Sequence, residues 1–173
     1  KTFRHELFTE YKINRQKMPE ELVEQLSPLY EIINKMNIPL AVLDGYEADD
    51  LIGTIAKQAE LENFNTYIVT GDKDMMQLVS DRTFVYSPGN RFKPTTTYTI
   101  DKVIERWGIG PEQFIDYLAM VGDSSDNIPG VDGIGAKSAV KLLEEYKALE
   151  EILEKGNEIN NKRIQKGILN GKD

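Results

Sequence analysis

Three short acidic clusters carry most of the chemistry this sequence offers: Glu47-Ala48-Asp49-Asp50, Asp72-Lys73-Asp74 and Asp123-Ser124-Ser125-Asp126. Hard cations such as Mg²⁺ and Mn²⁺ take oxygen ligands, mainly carboxylates and water. Two such ions roughly 3.5–4 Å apart can activate a water near neutral pH and stabilise both the attacking and the leaving oxygen of a phosphodiester. The acids present are ample to hold that pair, with Glu47, Asp49, Asp72, Asp74 and Asp126 the foremost contacts and Asp50 and Asp123 completing the set. Each acid alone has an ordinary alternative, because Asp and Glu favour helix caps and first turns whatever the chemistry. It is the placement of all three clusters at joints between predicted elements that favours a metal site.

A second constellation follows the third cluster. The run Asn127-Ile128-Pro129-Gly130-Val131-Asp132-Gly133-Ile134-Gly135-Ala136-Lys137-Ser138-Ala139 leads directly into Val140, Leu142 and Leu143. Gly133 and Gly135 permit a tight turn, and the amides behind them open a helix, where an anion is favoured. Lys137 and Ser138 add a charge and a hydroxyl. Such a hairpin can grip a phosphate without reading the base, although a ligand-free glycine turn between helices is the plain alternative. At the other end, Phe3-Arg4-His5-Glu6 and Tyr11-Lys12-Ile13-Asn14-Arg15 mix cations with rings. Bases stack on rings while cations follow phosphates, so the segment suits a single strand as well as it suits a solvated arm. His5 is expected to be a surface or packing residue.

The elements that must position these groups follow from spacing. Leu22, Leu26, Leu29, Ile32, Ile33 and Met36 predict an amphipathic helix over 20–36, bent or split by Ser27-Pro28. Leu40-Ala41-Val42-Leu43 suits a buried strand, 47–61 a helix, Thr66–Thr70 a parallel strand, Asp74–Val79 a helix and Phe84-Val85-Tyr86 a third strand. Ser87–Asn90 reads as a turn. Beyond Ile100 the pattern is helical at 101–107, 112–121, 136–146, 148–155 and 160–169. Alternation of strand and helix implies a parallel or mixed central sheet with flanking helices to about residue 100, an α/β class, followed by a helical part over 101–173. Ligands of open α/β sheets gather beyond the carboxyl ends of the strands, where the first two clusters are expected to converge.

Composition sets the outer bounds. The chain has 173 residues, 40% of them hydrophobic, which suits one domain with or without a small appended motif. No apolar run approaches the roughly 18 residues of a membrane helix, and no signal peptide is evident. Absence of cysteine excludes disulfides and thiolate metal sites and fits a cytoplasmic setting. A net charge of −8 argues against a nucleic-acid partner until its distribution is considered. Residues 44–74 carry a net −6, whereas residues 1–17 carry +3. An acidic centre beside a basic arm is what a metal-loaded phosphodiesterase needs.

Together these motifs resemble the 5′-nuclease family of bacterial polymerase I domains, phage 5′-exonucleases and eukaryotic flap endonucleases, over nearly the whole chain. Phe3-Arg4 with Tyr11-Lys12-x-x-Arg15 is similar to the family's arch segment, here residues 1–18. Tyr46-Glu47-Ala48-Asp49-Asp50, Thr70-Gly71-Asp72-Lys73-Asp74 and Gly122-Asp123-x-x-Asp126-Asn127-Ile128-Pro129-Gly130-Val131 resemble its metal-binding blocks. The Gly133–Ala139 segment resembles its helix-hairpin-helix, placed here at about 120–146, whose loop often carries K⁺. The resemblance implies a PIN-like nuclease core, two Mg²⁺ or Mn²⁺ ions, and branched or 5′-ended DNA as substrate. It also points to a polymerase domain in the parent chain. Arg4, Tyr11, Lys12, Arg15, Gly133, Gly135, Lys137 and Ser138 would contact DNA, with Lys12 and Arg15 steadying the scissile strand and Asp72 and Asp74 at the catalytic centre. The family's opening strand and its two early Asp ligands have no counterpart in a sequence starting at Lys1, so the chain is expected to be an internal portion of such a domain. The expected function is metal-dependent hydrolysis of DNA at 5′ flaps or ends. The rivals are a non-catalytic DNA-junction binder without a complete metal site and a related ribonuclease.

Overall fold

The computed structural model describes residues 1–171. Helix α1 (Phe3–Leu7) and α2 (Glu20–Lys35) lead to α3 (Ala48–Leu61), and a sheet follows, built from β1 (Thr66–Val69), β2 (Thr83–Ser87) and β3 (Thr96–Tyr98). The strands lie in sequence order. β1 runs parallel to β2, with Ile68 opposite Val85, and β3 returns antiparallel, with Tyr98 opposite Val85. The sheet is therefore mixed, as the alternation of elements predicts. β3 escaped the sequence reading because Thr96-Thr97-Tyr98 is too short to show a period.

The remainder is helical: α4 (Ile100–Trp107), α5 (Phe114–Val121), α6 (Ala136–Tyr146), α7 (Leu149–Glu154) and α8 (Lys162–Asn170). Local signals set these boundaries. Thr99 caps α4 by accepting from the Lys102 amide, and Gly108 ends it in the left-handed conformation. Asn161 caps α8 through the amides of Arg163 and Ile164.

One core joins the sheet to the helices. Ile68, Val85 and Tyr98 present the inner sheet face to Met75, Met76, Val103, Phe114 and Met120, and the cluster continues through Leu142, Leu143, Ile152 and Ile168. Burial of these side chains is the main stabilising contribution, roughly 1.5–3 kcal/mol each.

Three expectations need correction. Residues 40–43 form no strand; Leu40, Val42 and Leu43 are exposed. A strand needs a ladder partner, and the 40–43 run pairs with neither edge of the three-stranded sheet. The helix expected at 74–79 is a 3-10 turn, Lys73–Leu78, anchored by Asp72 accepting from the Asp74 amide at 2.9 Å. Ser27-Pro28 does not split α2, which runs through Pro28 and contains no buried residue.

Candidate functional site

Three segments bring acids to one cleft. Glu47 is the N-cap of α3, and Asp50 accepts from its amide at 2.8 Å, so a reciprocal capping box fixes the first cluster at the helix start. This box takes over the positioning that a strand at 40–43 was expected to provide. Asp74 stands in the 3-10 turn after β1. The third cluster lies on a loop closed by a two-way backbone pairing, Asp123 N to Ile128 O at 2.9 Å and Ile128 N to Asp123 O at 2.8 Å. Gly122 enters that loop at φ 76°, and a Cβ there would lie 2.3 Å from the Gly130 nitrogen, so glycine is required by both conformation and space.

Glu47, Asp49, Asp74, Asp123 and Asp126 line a cleft of about 500 Å³ with Arg4 and Tyr11. Leu7, Phe8, Ile115, Leu118 and Ile128 form an apolar wall that the sequence reading missed, because they come from distant elements. Asp50 and Asp72 do not line this cleft. Asp50 faces a neighbouring groove and accepts two hydrogen bonds from Arg4, at 2.7 and 2.8 Å. Asp72 is exposed, yet close enough to act on Asp49 and Asp74 electrostatically.

Charge is unevenly settled among these acids. Burial, reinforced by Asp72, Asp123 and Asp126, pushes Asp74 up to about 6. Its Oδ1 is buried with no hydrogen-bond partner. Burial also raises Asp49, with Asp72 and Glu47 adding to the effect. Asp50 is held below the usual carboxylate range by Arg4. Burial acts to raise Asp123, but Lys73 and the Ser125 amide outweigh it and the net shift is downward.

Cations of the arm and of the second cluster reach into the acids. Lys12 Nζ lies 2.6 Å from Glu47 Oε2, with both side chains only 14% exposed, and 3.6 Å from Asp126. Arg15 meets Asp126 at 2.7 Å, and Lys73 meets Asp123 at 2.9 Å. The Tyr11 hydroxyl sits 3.0 Å from Glu47 and 3.1 Å from Asp126, and burial first, then these two acids, pushes it up to about 12. Among the described residues no three acids stand in a ready metal-ligating group. The donors nonetheless fit a hard divalent cation: all are carboxylate oxygens, and one, on Asp74, is buried and unsatisfied.

The glycine hairpin, Gly133–Ala139, contributes no residue to the lining of this cleft. Gly133 takes φ 82°, and Gly135 precedes α6 with no side-chain cap. A Cβ at Gly135 would meet nothing within 4 Å, so the protein interior does not demand glycine there. Lys137 is exposed and Ser138 half-buried on the first turn of α6. His5 accords with its expected packing role, lying 3.0 Å from the Thr2 hydroxyl and edge-on to Tyr11.

The family profile described as "5′-3′ exonuclease, N-terminal resolvase-like domain" matches residues 1–108, and "5′-3′ exonuclease, C-terminal SAM fold" matches residues 109–173. The chain belongs to the 5′-3′ exonuclease family. It is 44% identical to DNA polymerase I of Bacillus subtilis over 172 residues, which is 99% of this chain and 20% of that protein. It is also 44% identical to DNA polymerase I of Rhizobium leguminosarum over 169 residues, 98% of this chain and 16% of the relative. The chain thus spans about a fifth of the length of the curated relatives it matches. Among solved exonuclease structures, bacteriophage T5 5′-exonuclease with bound zinc superposes with a TM-score of 0.82 at 28% identity, covering 97% of this chain and 65% of that one. A T5 D15 flap endonuclease variant in a pseudo-enzyme-product complex with DNA and metal ions gives 0.81 at 27%, covering 96% and 64%. The catalytic core of Rad2 shares the fold at 16% identity, with a TM-score of 0.57. No helix among the described residues is long and apolar enough to cross a membrane.

Proposed function

We propose that this exonuclease-family chain carries the centre of a metal-dependent 5′-nuclease that hydrolyses DNA at 5′ flaps or 5′ ends. The observation that carries the reading is the convergence of acids from three separate segments on one cleft, one of them with a buried unsatisfied oxygen. Glu47, Asp49, Asp74, Asp123 and Asp126 would hold Mg²⁺ or Mn²⁺, with Asp72 beside them. Such ions, when bound, supply an activated water and neutralise charge on the leaving oxygen.

The chain's own groups do the rest. Lys12 and Arg15 stand at the rim of the acids, where they orient a phosphate brought to the cleft. Leu7, Phe8, Ile115, Leu118 and Ile128 line the same cleft as the acids, and Tyr11 orients Glu47 and Asp126. The start of α6, with Gly133, Gly135, Lys137 and Ser138, holds duplex through its backbone phosphates. DNA-bound and metal-bound relatives of the same fold support this assignment. The length of the curated relatives supports a polymerase domain in the same parent chain.

Asp74→Asn, which removes the charge of the acid whose buried oxygen has no partner in the cleft, is the direct test: hydrolysis of a 5′-flap duplex is expected to vanish while junction binding is retained. Undiminished cleavage by that variant would exclude the site. A second reading, a DNA-junction binder without turnover, is favoured by the cations that occupy Glu47, Asp123 and Asp126 in place of a gathered ligand set. Binding that is indifferent to metal, with no cleavage by the unaltered chain, would select it.

A further inference from the structure

The basic arm is joined to the loop of the third acidic cluster by more than charge. The Asn127 amide nitrogen donates to the Glu10 carbonyl at 2.9 Å, and its carbonyl oxygen accepts from the Asn14 amide at 2.8 Å. Between these two contacts the Lys12 amide donates to the Asp126 carbonyl at 2.9 Å. One side chain therefore spans residues 10 and 14, and the residues it brackets, Tyr11 and Lys12, place their polar ends on Glu47 and Asp126. Ion pairs between long side chains leave register loosely defined, because the flexible chains can re-pair with any nearby carboxylate. A bidentate amide on a backbone carbonyl and a second amide fixes it. Asn127 sits at φ 58°, a conformation Asn tolerates better than most residues, and this aims its side chain at the arm.

We propose that Asn127 is a positioning residue: it latches the arm to the loop carrying Asp123 and Asp126 and so sets where Lys12 and Arg15 stand in the cleft. Its consequence for catalysis rests on the nuclease reading above, whereas the latch itself can be tested without any turnover. Asn127→Gly keeps the positive φ and removes both side-chain hydrogen bonds, which separates the latch from backbone strain. Asn14→Ala removes one of the two.

Limited trypsin digestion after Lys12 and Arg15 reads arm release. Asn127→Gly is expected to speed it by on the order of tenfold, the loss of two exposed hydrogen bonds, with thermal unfolding of the core unchanged. Asn14→Ala is expected to speed it less. The double variant is expected to match Asn127→Gly alone, because both changes cut the same contact. On a 5′-flap duplex, Asn127→Gly is expected to lower kcat by about tenfold with little change in KM, since duplex is held at the start of α6. Wild-type digestion rates in Asn127→Gly, or additive effects in the double variant, would overturn the latch. A released arm with unchanged kcat, or a loss confined to KM, would overturn its positioning role. No cleavage by the unaltered chain would count against the nuclease reading, and the digestion series would still decide the latch.

Discussion

At Asp74 a carboxylate oxygen is buried without a donor, and burial with Asp72, Asp123 and Asp126 nearby raises the group from 3.8 to about 6. Between about pH 4 and pH 6 the folded chain holds a proton there that the unfolded chain has released. This group's contribution to stability therefore falls as pH rises through that window and stays unfavourable above it. Partial exposure screens the charge, so the penalty at neutral pH is about 1–2 kcal/mol rather than the full shift. Without divalent ions, Asp74→Asn is expected to raise Tm at pH 7 by about 2–6 °C, with the gain vanishing near pH 4. Thermal unfolding from pH 4 to 8 checks this, and a lower Tm at pH 7 would contradict it. Five of the seven acids named from sequence do line the cleft, because each cluster marks an element joint. Asp50 shows where that logic stops: spacing does not reveal that its oxygens meet the Arg4 guanidinium and the Glu47 amide rather than line the cleft. Lys73 was hidden for the converse reason, as nothing local points its ammonium at Asp123, fifty residues on.

The elements differ in how far local pattern determines them. Amphipathic stretches with caps, such as α4 between Thr99 and Gly108, end within a residue or two of their predicted bounds. The apolar run 40–43 has a strand's composition but no ladder partner, and pairing is a tertiary property that composition does not contain. The loop 123–128 depends on a glycine pair, since a Cβ at Gly122 would strike Gly130 and one at Gly130 would lie 2.3 Å from the Val121 oxygen. Gly122→Ala is accordingly expected to destabilise the chain by about 2–4 kcal/mol through strain and backbone clash. Urea unfolding measures this, and a change below about 0.5 kcal/mol would mean that the loop is not built on that contact.

Taken whole, the molecule divides into a well-buried part and an open one. Its accessible surface is 12384 Å², where about 8,600 Å² is expected for a folded monomer of this mass. Large apolar side chains lie exposed on α2, on residues 38–43, at the end of α3 and on the outer face of β1, among them Leu29, Val42, Leu61, Tyr67 and Val69. The core, by contrast, runs without a break from the sheet through α5, α6 and α8 and carries both the acidic loop and the hairpin. Net charge is a poor guide at this scale, because −8 conceals a basic arm folded onto an acidic cleft. The decisive measurement is cleavage of an end-labelled 5′-flap duplex by this chain, with Mg²⁺ or Mn²⁺ and with chelator. A nuclease centre in this cleft cuts near the junction when metal is present and stops when chelator is added. Retained junction binding with no cutting at any metal concentration would contradict it.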